Sequence, residues 1–587
     1  MPQNIIQDRN PITESAYFAF VNPTLLQAIP RDAGRVLEIG CGAGAFAGAY
    51  RQYNPGVYYA AVELNPAAAA AARRHIDLVI EGDIEDEETR AKLPTGPFDI
   101  LVMGDVLEHT RDPWRLLTAL KAYSHAGTTA VACLPNVAHW SVIKGLLAGQ
   151  WRYTDEGLLD RTHLRFFTPD SAIQLFRDSG WRPIDRRQRF VRPEQGQAFL
   201  QAMAPAIEGL GLDRKRFEAG TLPYQVVIRS LASPPVHKKL RITAMTLKPV
   251  GAVNDVRVGL PLEALAALPG VTATVAVHKL APPPPVAGTD DLVVWQRPIL
   301  DPVRNRDTYH RLLHRRLLTV VEFDDDPDHW PRIAENDYLT FKAPHAVQVS
   351  NEPLALRVRA WNPNVAVFPN QLDRLPPLGP AREGKPLRLF FGALNRESDW
   401  APYLSPLQTT LRAKGAAVKV VIVHDRALFK ALDHPHKEFY PLCDYPRYRE
   451  ILGGCDLAWL PLQDTPFNRC KTDLKFLECA AHGVAVLASP VVYAGTIADD
   501  RTGLIYRTGA EFADGLDRLF ADAALRRRLT IAAHDYVCRE RMLGRHTPGR
   551  LAWYRSLLSD FERLERERRA RMAAQWPDWV AAPTNAG

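Results

Sequence analysis

The stretch VLEIGCGAGAF, Val36–Phe46, is a short apolar run that enters a glycine-rich turn and opens a helix. Apolar residues on both faces mark a strand covered on both sides. Gly40, Gly42 and Gly44 let the backbone turn sharply and approach a ligand closely. Such a turn occurs in many nucleotide folds, so the sequel has to narrow the reading. The next apolar run, YAAVEL, ends in Glu63, where a carboxylate can accept hydrogen bonds from ribose hydroxyls. EGDIED then places Asp83 and Ile84 at a third strand end, and FDILVMGDVLEHTRDP carries Asp99, Asp105, Glu108 and His109. Glu38 inside the first strand, and the stretch VLEHTRDP, both argue against a dinucleotide-binding domain.

The same rhythm of apolar runs and helical stretches continues along the chain. RVLEIG, FDILVMG and TAVACLP lie in the first part. VVEFDDD and AVQVS lie in the second, and VKVVIVH, LAWLPL and VAVLAS in the third. Alternation of this kind predicts an α/β fold of three Rossmann-like, doubly wound domains with parallel sheets. A chain of 587 residues exceeds one hydrophobic core, and about three or four domains are expected. Pro-rich breaks set the boundaries. They give a first domain over 1–232, a linker over 233–239, a second domain over 240–378, a third over 379–545, and a helical tail over 546–587. PPPPV at Pro282–Val286 reads as a rigid loop within a domain.

A net charge of +7 is spread along the chain, with no basic stripe, so nucleic acid is not an expected partner. ERLERERRARMAAQW mixes both signs and reads as a solvated helix face. No apolar run reaches the roughly 18 residues of a membrane span. MPQNIIQDRN lacks a charged-then-apolar layout, and seven cysteines without a CxxC pair suit reduced thiols. A cytoplasmic enzyme is the expectation, with peripheral membrane contact left open.

The ordered set Gly40, Gly42, Gly44, Glu63, Asp83 and VLEHTRDP resembles the class I S-adenosylmethionine-dependent methyltransferases over about residues 15–230. The resemblance implies a cofactor site. The glycine loop would face the methionine part and ribose, Glu63 the ribose diol, and Asp83 with Ile84 the adenine; Glu38 and Asp105 join this set. LLDRTHLRFFT, Leu158–Thr168, resembles a stretch of the same branch. Methyl transfer to a hydroxyl needs a base, and His163 and His109 are the catalytic candidates. Each also reads as a structural residue, His109 shaping the pocket and His163 joining a cluster with Asp160 and Arg161.

Further on, LRLFFGALNRESDW gives a strand, a glycine turn and Arg396, and KTDLKFLECAAHGVAVLAS, Lys471–Ser489, follows later. A diphosphate leaving group needs backbone N–H groups and cations. Gly392 with Arg396, and Lys471 or Lys475, supply these; Glu478 shares a helical face with Lys475 and can accept from a ribose. Together they resemble the C-terminal domain of GT-B glycosyltransferases, nearest the retaining family 4 enzymes, over about residues 385–510. The segment over about 238–375 fits an acceptor domain more loosely. The family's E-x7-E signature puts Glu478 second, at the donor ribose. Its first position, the sugar contact, falls on Cys470, with Asp464, Asn468 or Asp473 as alternatives. Enzymes of this kind need no metal, so none is expected, and EFDDDPDHW reads as a strand-end cap or cleft wall, with a carboxylate role in acceptor binding as the alternative. Gly251, Asn254, Asp255 and Arg257 face the expected cleft. His345 and His424 read as interior histidines, and His482–Gly483 as a helix C-terminal turn.

The expected whole is bifunctional. It would use S-adenosyl-L-methionine for methyl transfer to a sugar or related hydroxyl. It would use a nucleotide sugar for glycosyl transfer to a glycan or lipid-linked acceptor, in polysaccharide synthesis. The alternative keeps the methyltransferase and makes the second half a glycan-binding or docking module.

Overall fold

The computed structural model describes residues 20–235, 237–246, 253–277, 284–314, 316–380 and 386–580. The chain divides into two compact units. The first holds Met1–Lys238 with Ala266–Val271, and the second holds Lys239–Leu265 with Thr272–Gly587.

In the first unit the strands are β1 (Arg35–Ile39), β2 (Tyr58–Glu63), β3 (Leu78–Glu81), β4 (Phe98–Gly104), β5 (Ser124–Pro135), β6 (Arg182–Arg189) and β7 (Gln225–Leu231). They form one sheet in the order β3-β2-β1-β4-β5-β7-β6. The pairs among β1 to β5 are parallel, with Val36 opposite Tyr59 on one side and Ile100 on the other. The last two strands depart from the all-parallel expectation: β7 runs antiparallel to both β5 and β6. The chain after β6 passes through the helices Pro193–Gly209 and Arg214–Thr221 and returns between β5 and β6. An antiparallel return needs no crossover helix on the opposite face. Helices start where the chain supplies caps: Asn65 accepts from the Ala67 and Ala68 amides, with Pro66 at the first helical position. Apolar clusters fill both faces of the sheet, one around Leu101 and Trp181, the other around Tyr50 and Val102.

The second unit has two sheets. Strands β8 (Lys239–Thr246), β9 (Val271–Val277), β10 (Thr289–Gln296), β11 (Leu318–Phe323), β12 (Ala346–Val349) and β13 (Val365–Val367) lie in the order β13-β12-β11-β10-β8-β9. Strands β14 (Leu387–Gly392), β15 (Val418–Val423), β16 (Lys437–Tyr440), β17 (Leu457–Leu460), β18 (Ala485–Ala488) and β19 (Leu504–Ile505) lie in the order β16-β15-β14-β17-β18-β19. Their registered pairs are parallel, as the apolar runs predicted. The strand order of the third sheet reverses between β14 and β17, and ligands of open α/β sheets bind at such points.

The tail packs on the middle sheet. Tyr554 donates to Gln348 Oε1 at 2.8 Å, and Met572 and Trp579 join the core containing Val293, Tyr309 and Val347. ERLERERRARMAAQW is therefore not solvated all round: Leu564, Arg568 and Met572 are buried, and Glu565 is held by Arg568 and Arg569. Among the described residues no helix is long and apolar enough to cross a membrane. The reading of MPQNIIQDRN, and part of the PPPPV loop, lie outside the described residues.

Candidate active sites

In the first unit the turn after β1 closes one end of a cavity of about 1030 Å³. Gly40 and Gly44 have φ of 70° and 82°, and a Cβ at Gly40 would meet Val106 Cγ2 at 2.6 Å. At Gly44 it would meet the Ala72 backbone at 3.0 Å. Glycine is needed at both places, but of the two only Gly40 is in the cavity wall: Gly44, expected to face the cofactor, does not line the cavity and instead packs against Ala72. Gly42 N–H donates to Glu63 Oε2 at 2.8 Å, and Asn65 N–H to Glu63 Oε1 at 2.9 Å. Two backbone donors thus fix the carboxylate at the end of β2, leaving each oxygen able to accept once more. Glu38 lines the same cavity. Tyr59 donates to it at 2.9 Å, and burial pushes its carboxyl up to about 8.

Asp83 Oδ1 accepts from Glu85 N–H at 2.8 Å, and its Oδ2 accepts from Arg111 Nη2 at 2.8 Å. Arg111 also lines the cavity and pairs with Glu85; nothing in the spacing of EGDIED signalled it. Ile84 is a buried part of the wall. Asp105 sits at φ 54° and accepts from Gln225 Nε2 at 2.5 Å, and burial raises its carboxyl. Gln225 and Arg189 come from the antiparallel edge, whose position the sequence rhythm did not give. Asp99 lies elsewhere, accepting from the Gly34 and Arg35 amides at 2.8 Å each, a structural tie across the bottom of the sheet.

The opposite wall carries Glu108, His109 and His163. Glu108 is 1% exposed, and neither carboxyl oxygen has a partner among the described residues. Burial, with Asp105 and Asp160 nearby, pushes it well above the carboxylate range. His109 Nδ1 lies 3.2 Å from the Thr162 carbonyl, the two imidazole centroids are 4.8 Å apart, and His163 Nδ1 has no partner among the described residues. Burial lowers both imidazoles, which favours the neutral form. Asp160 accepts from Thr162 N–H at 2.8 Å and Thr162 Oγ1 at 2.7 Å, tightening the turn that presents His163. Glu108, His109 and His163 each offer a ligating atom, all within 4.8 Å of one another, so these three could hold a metal ion. The sequence reading expected no metal and weighed only the two imidazoles here, because the cluster closes through a loop 54 residues away from His109.

In the second unit a cavity of about 360 Å³ lies where β14 and β17 end. Gly392 lines it, and a Cβ there would meet the Phe390 ring at 2.5 Å. Lys475 Nζ donates to the Gly392 carbonyl and lies 3.5 Å from Tyr448 Oη. Burial lowers its ammonium, and Glu478 opposes the shift. Glu478 is buried on the same helix, Leu474–Ala481, and burial raises its carboxyl while Lys475 opposes. Arg396 Nη1 donates to Asn468 Oδ1 at 2.8 Å, and Lys471 Nζ to Asp325 Oδ1 at 2.6 Å. Gly392, Arg396, Lys471, Lys475 and Glu478 thus line one cavity. Arg257, Arg297, Asp324 and Asp325 line it too, and Arg297 carried no sequence signal. Five cationic side chains face three carboxylates there, an excess that suits a diphosphate.

Cys470 is turned away. It is 1% exposed within the core that holds Ile333 and Leu354. Asp464 is bound to Arg469 at 2.6 Å, Asn468 to Asp399 at 2.8 Å, and Asp473 to Arg541 and Thr496. None of the three lines the cavity. Of the turn before β9, Arg257 lines it while Asn254 and Asp255 do not, and Gly251 lies outside the described residues. His345 is interior, bonded to Thr319, whereas His424 is not: it lines the cavity at φ 74°, because it terminates β15 at the carboxyl edge. His482 Nδ1 meets the Glu478 carbonyl at 2.8 Å, and Gly483 turns the chain at φ 69°.

Residues 13–185 match the family model described as a methyltransferase domain. The first unit thus carries a methyltransferase domain, and the chain is a transferase. Among curated relatives, a ubiquinone biosynthesis O-methyltransferase of Cereibacter sphaeroides is 27% identical over 171 residues, which is 28% of this chain and 67% of the relative. Among solved structures, an S-adenosylmethionine-dependent methyltransferase of Thermotoga maritima is 20% identical and covers 36% of this chain and 88% of its own, with a TM-score of 0.25. A glycosyltransferase of Rickettsia africae is 12% identical and covers 55% of this chain and 99% of its own, with a TM-score of 0.40.

Proposed function

We propose that the chain performs two group transfers. The first unit moves a methyl group to a hydroxyl of a sugar or related acceptor, and the second moves a sugar from a nucleotide donor to a glycan or lipid-linked acceptor. A chain joining both would serve the synthesis of a methylated polysaccharide, and its seven free thiols suit a cytoplasmic setting.

For the first unit the carrying observation is that His109 and His163 line one cavity with the glycine turn and the fixed Glu63 carboxylate. The cavity would take S-adenosyl-L-methionine: Gly40 and Gly42 leave room for it, Glu63 would accept from its ribose diol, and Asp83 with Ile84 would border its base. Bound there, it supplies an electrophilic methyl group. His163, neutral and on the cavity wall, would take the acceptor hydroxyl proton as the methyl group passes from the sulfonium sulfur to that oxygen and the thioether leaves, with His109 beside it orienting it. A second reading has Glu108, His109 and His163 hold a divalent cation that lowers the acceptor hydroxyl's pKa. Expected is that His163→Ala keeps cofactor affinity by calorimetry yet lowers methyl transfer by about 10²–10⁴-fold. Loss of transfer on chelation, with recovery on adding a divalent ion, would select the cation reading. Absence of cofactor binding to the wild-type chain would overturn both.

For the second unit the carrying observation is the convergence of Lys475, Arg396 and Glu478 on the cavity beside Gly392. Lys475 and Arg396 would stabilise the departing diphosphate and Glu478 would accept from the donor ribose. Retention of anomeric configuration rests on the family 4 resemblance. The docking-module reading has Cys470 as its motive. Transfer from a panel of nucleotide sugars that is abolished by Glu478→Ala would exclude it.

A further inference from the structure

Three carboxylates line the second cavity: Glu478, Asp324 and Asp325. Asp324 is occupied by Arg297 Nε at 2.5 Å. Asp325 gives one oxygen to Lys471 Nζ at 2.6 Å, and its other oxygen stands 3.7 Å from Arg297 Nη2, too far for a hydrogen bond. That oxygen keeps its accepting capacity while the carboxylate is held in place. On the same wall Arg257 is 2% exposed, and Nε donates to Glu322 Oε1 at 2.7 Å. Its Nη1 donates to the Phe368 carbonyl and Asn370, and its Nη2 has no partner among the described residues. A buried guanidinium N–H without an acceptor is costly, so an oxygen-bearing ligand fits beside it.

We propose that the sugar of the nucleotide donor is gripped from the middle sheet. Asp325, held by Lys471, accepts from its hydroxyls, and Arg257 Nη2 donates to one of its oxygens. The inference rests on the donor reading of this cavity and names the part of that ligand the wall takes. Carboxylates and guanidinium groups are complementary to sugar hydroxyls, one as acceptor only, the other as donor only. Position 470 makes no such contact because the Cys470 side chain is buried in the core that holds Ile333 and Leu354, with Sγ 4.0 Å from Arg357 Nη1, and does not line the cavity. Lys471, the next residue, instead reaches Asp325 across the cleft. The lost acid and the gained ion pair are thus adjacent in sequence.

The test titrates the full chain with UDP, GDP and ADP and with the glucose conjugate of each. For the nucleotide that binds, Asp325→Asn is expected to weaken the conjugate by about 10- to 100-fold more than the diphosphate. Arg257→Lys, which keeps the charge and removes the guanidinium donors, is expected to weaken the conjugate more than the diphosphate, and Asp464→Asn, on an exposed pair, changes neither. Full conjugate affinity in Asp325→Asn overturns the inference. Equal loss of both ligands also overturns it, by placing Asp325 at the diphosphate or in the fold. If the wild-type chain binds none of the diphosphates, the donor reading itself fails, and this inference falls with it.

Discussion

Glu38 shows how one carboxyl can set a pH window. It is buried inside β1, and burial outweighs the bond from Tyr59, so its pKa rises to about 8. A group whose folded pKa is raised stabilises fully below its unfolded value, here near 4.5, and that contribution is lost as pH rises through about 8. Glu38→Gln keeps an acceptor for Tyr59 and removes the titration. The melting temperature of the variant relative to wild type is therefore expected to rise steadily between about pH 5 and about pH 9. A difference that stays flat with pH would show that Glu38 is not held protonated. Residues of this kind were legible as acids in the sequence. Their state was not, since it follows from burial that only packing reveals. Arg111, Arg297 and Glu108 likewise acquire their settings from chain segments far away in sequence.

At the scale of an element, the helix Leu474–Ala481 holds a cation and an acid three residues apart, both buried. Each opposes the other's desolvation. Breaking such a pair on one side leaves an uncompensated buried charge. Glu478→Gln and Lys475→Met are each expected to lower stability in urea. The double variant should be more stable than the sum of the two, by about 0.5–3 kcal/mol of coupling. Strict additivity would mean the two groups do not sense each other. The helix itself was readable from its spacing, and so was its likeness to a donor-binding helix. Where Cys470 points was not readable. The short helix Pro466–Arg469 turns it into the apolar core of the middle sheet, and that orientation depends on a partner surface more than 100 residues earlier.

At the scale of the whole molecule, the second unit is closed by its last helices. Trp579 is buried against Tyr309 at a ring separation of 5.2 Å, and its indole donates to the Pro302 carbonyl at 2.9 Å. Trp579→Ala is expected to cost the second unit about 3–5 kcal/mol. Hydrogen exchange should then quicken in peptides spanning β10 and β12, which share this core. Unchanged exchange there would show that the tail is not part of the cooperative unit.

By itself the sequence determined three α/β sheets, the glycine turns after β1 and β14, and several of the residues that line the two cavities. These follow from local periodicity and from backbone freedom at a few positions, which neighbouring residues fix. Tertiary structure alone decided the antiparallel return of β7, the convergence of Glu108 with His109 and His163, and the pairing of Lys471 with Asp325 across the cleft. Each of these joins segments distant in the chain. Such contacts are chosen by burial and charge pairing in three dimensions, and no spacing along the chain encodes them.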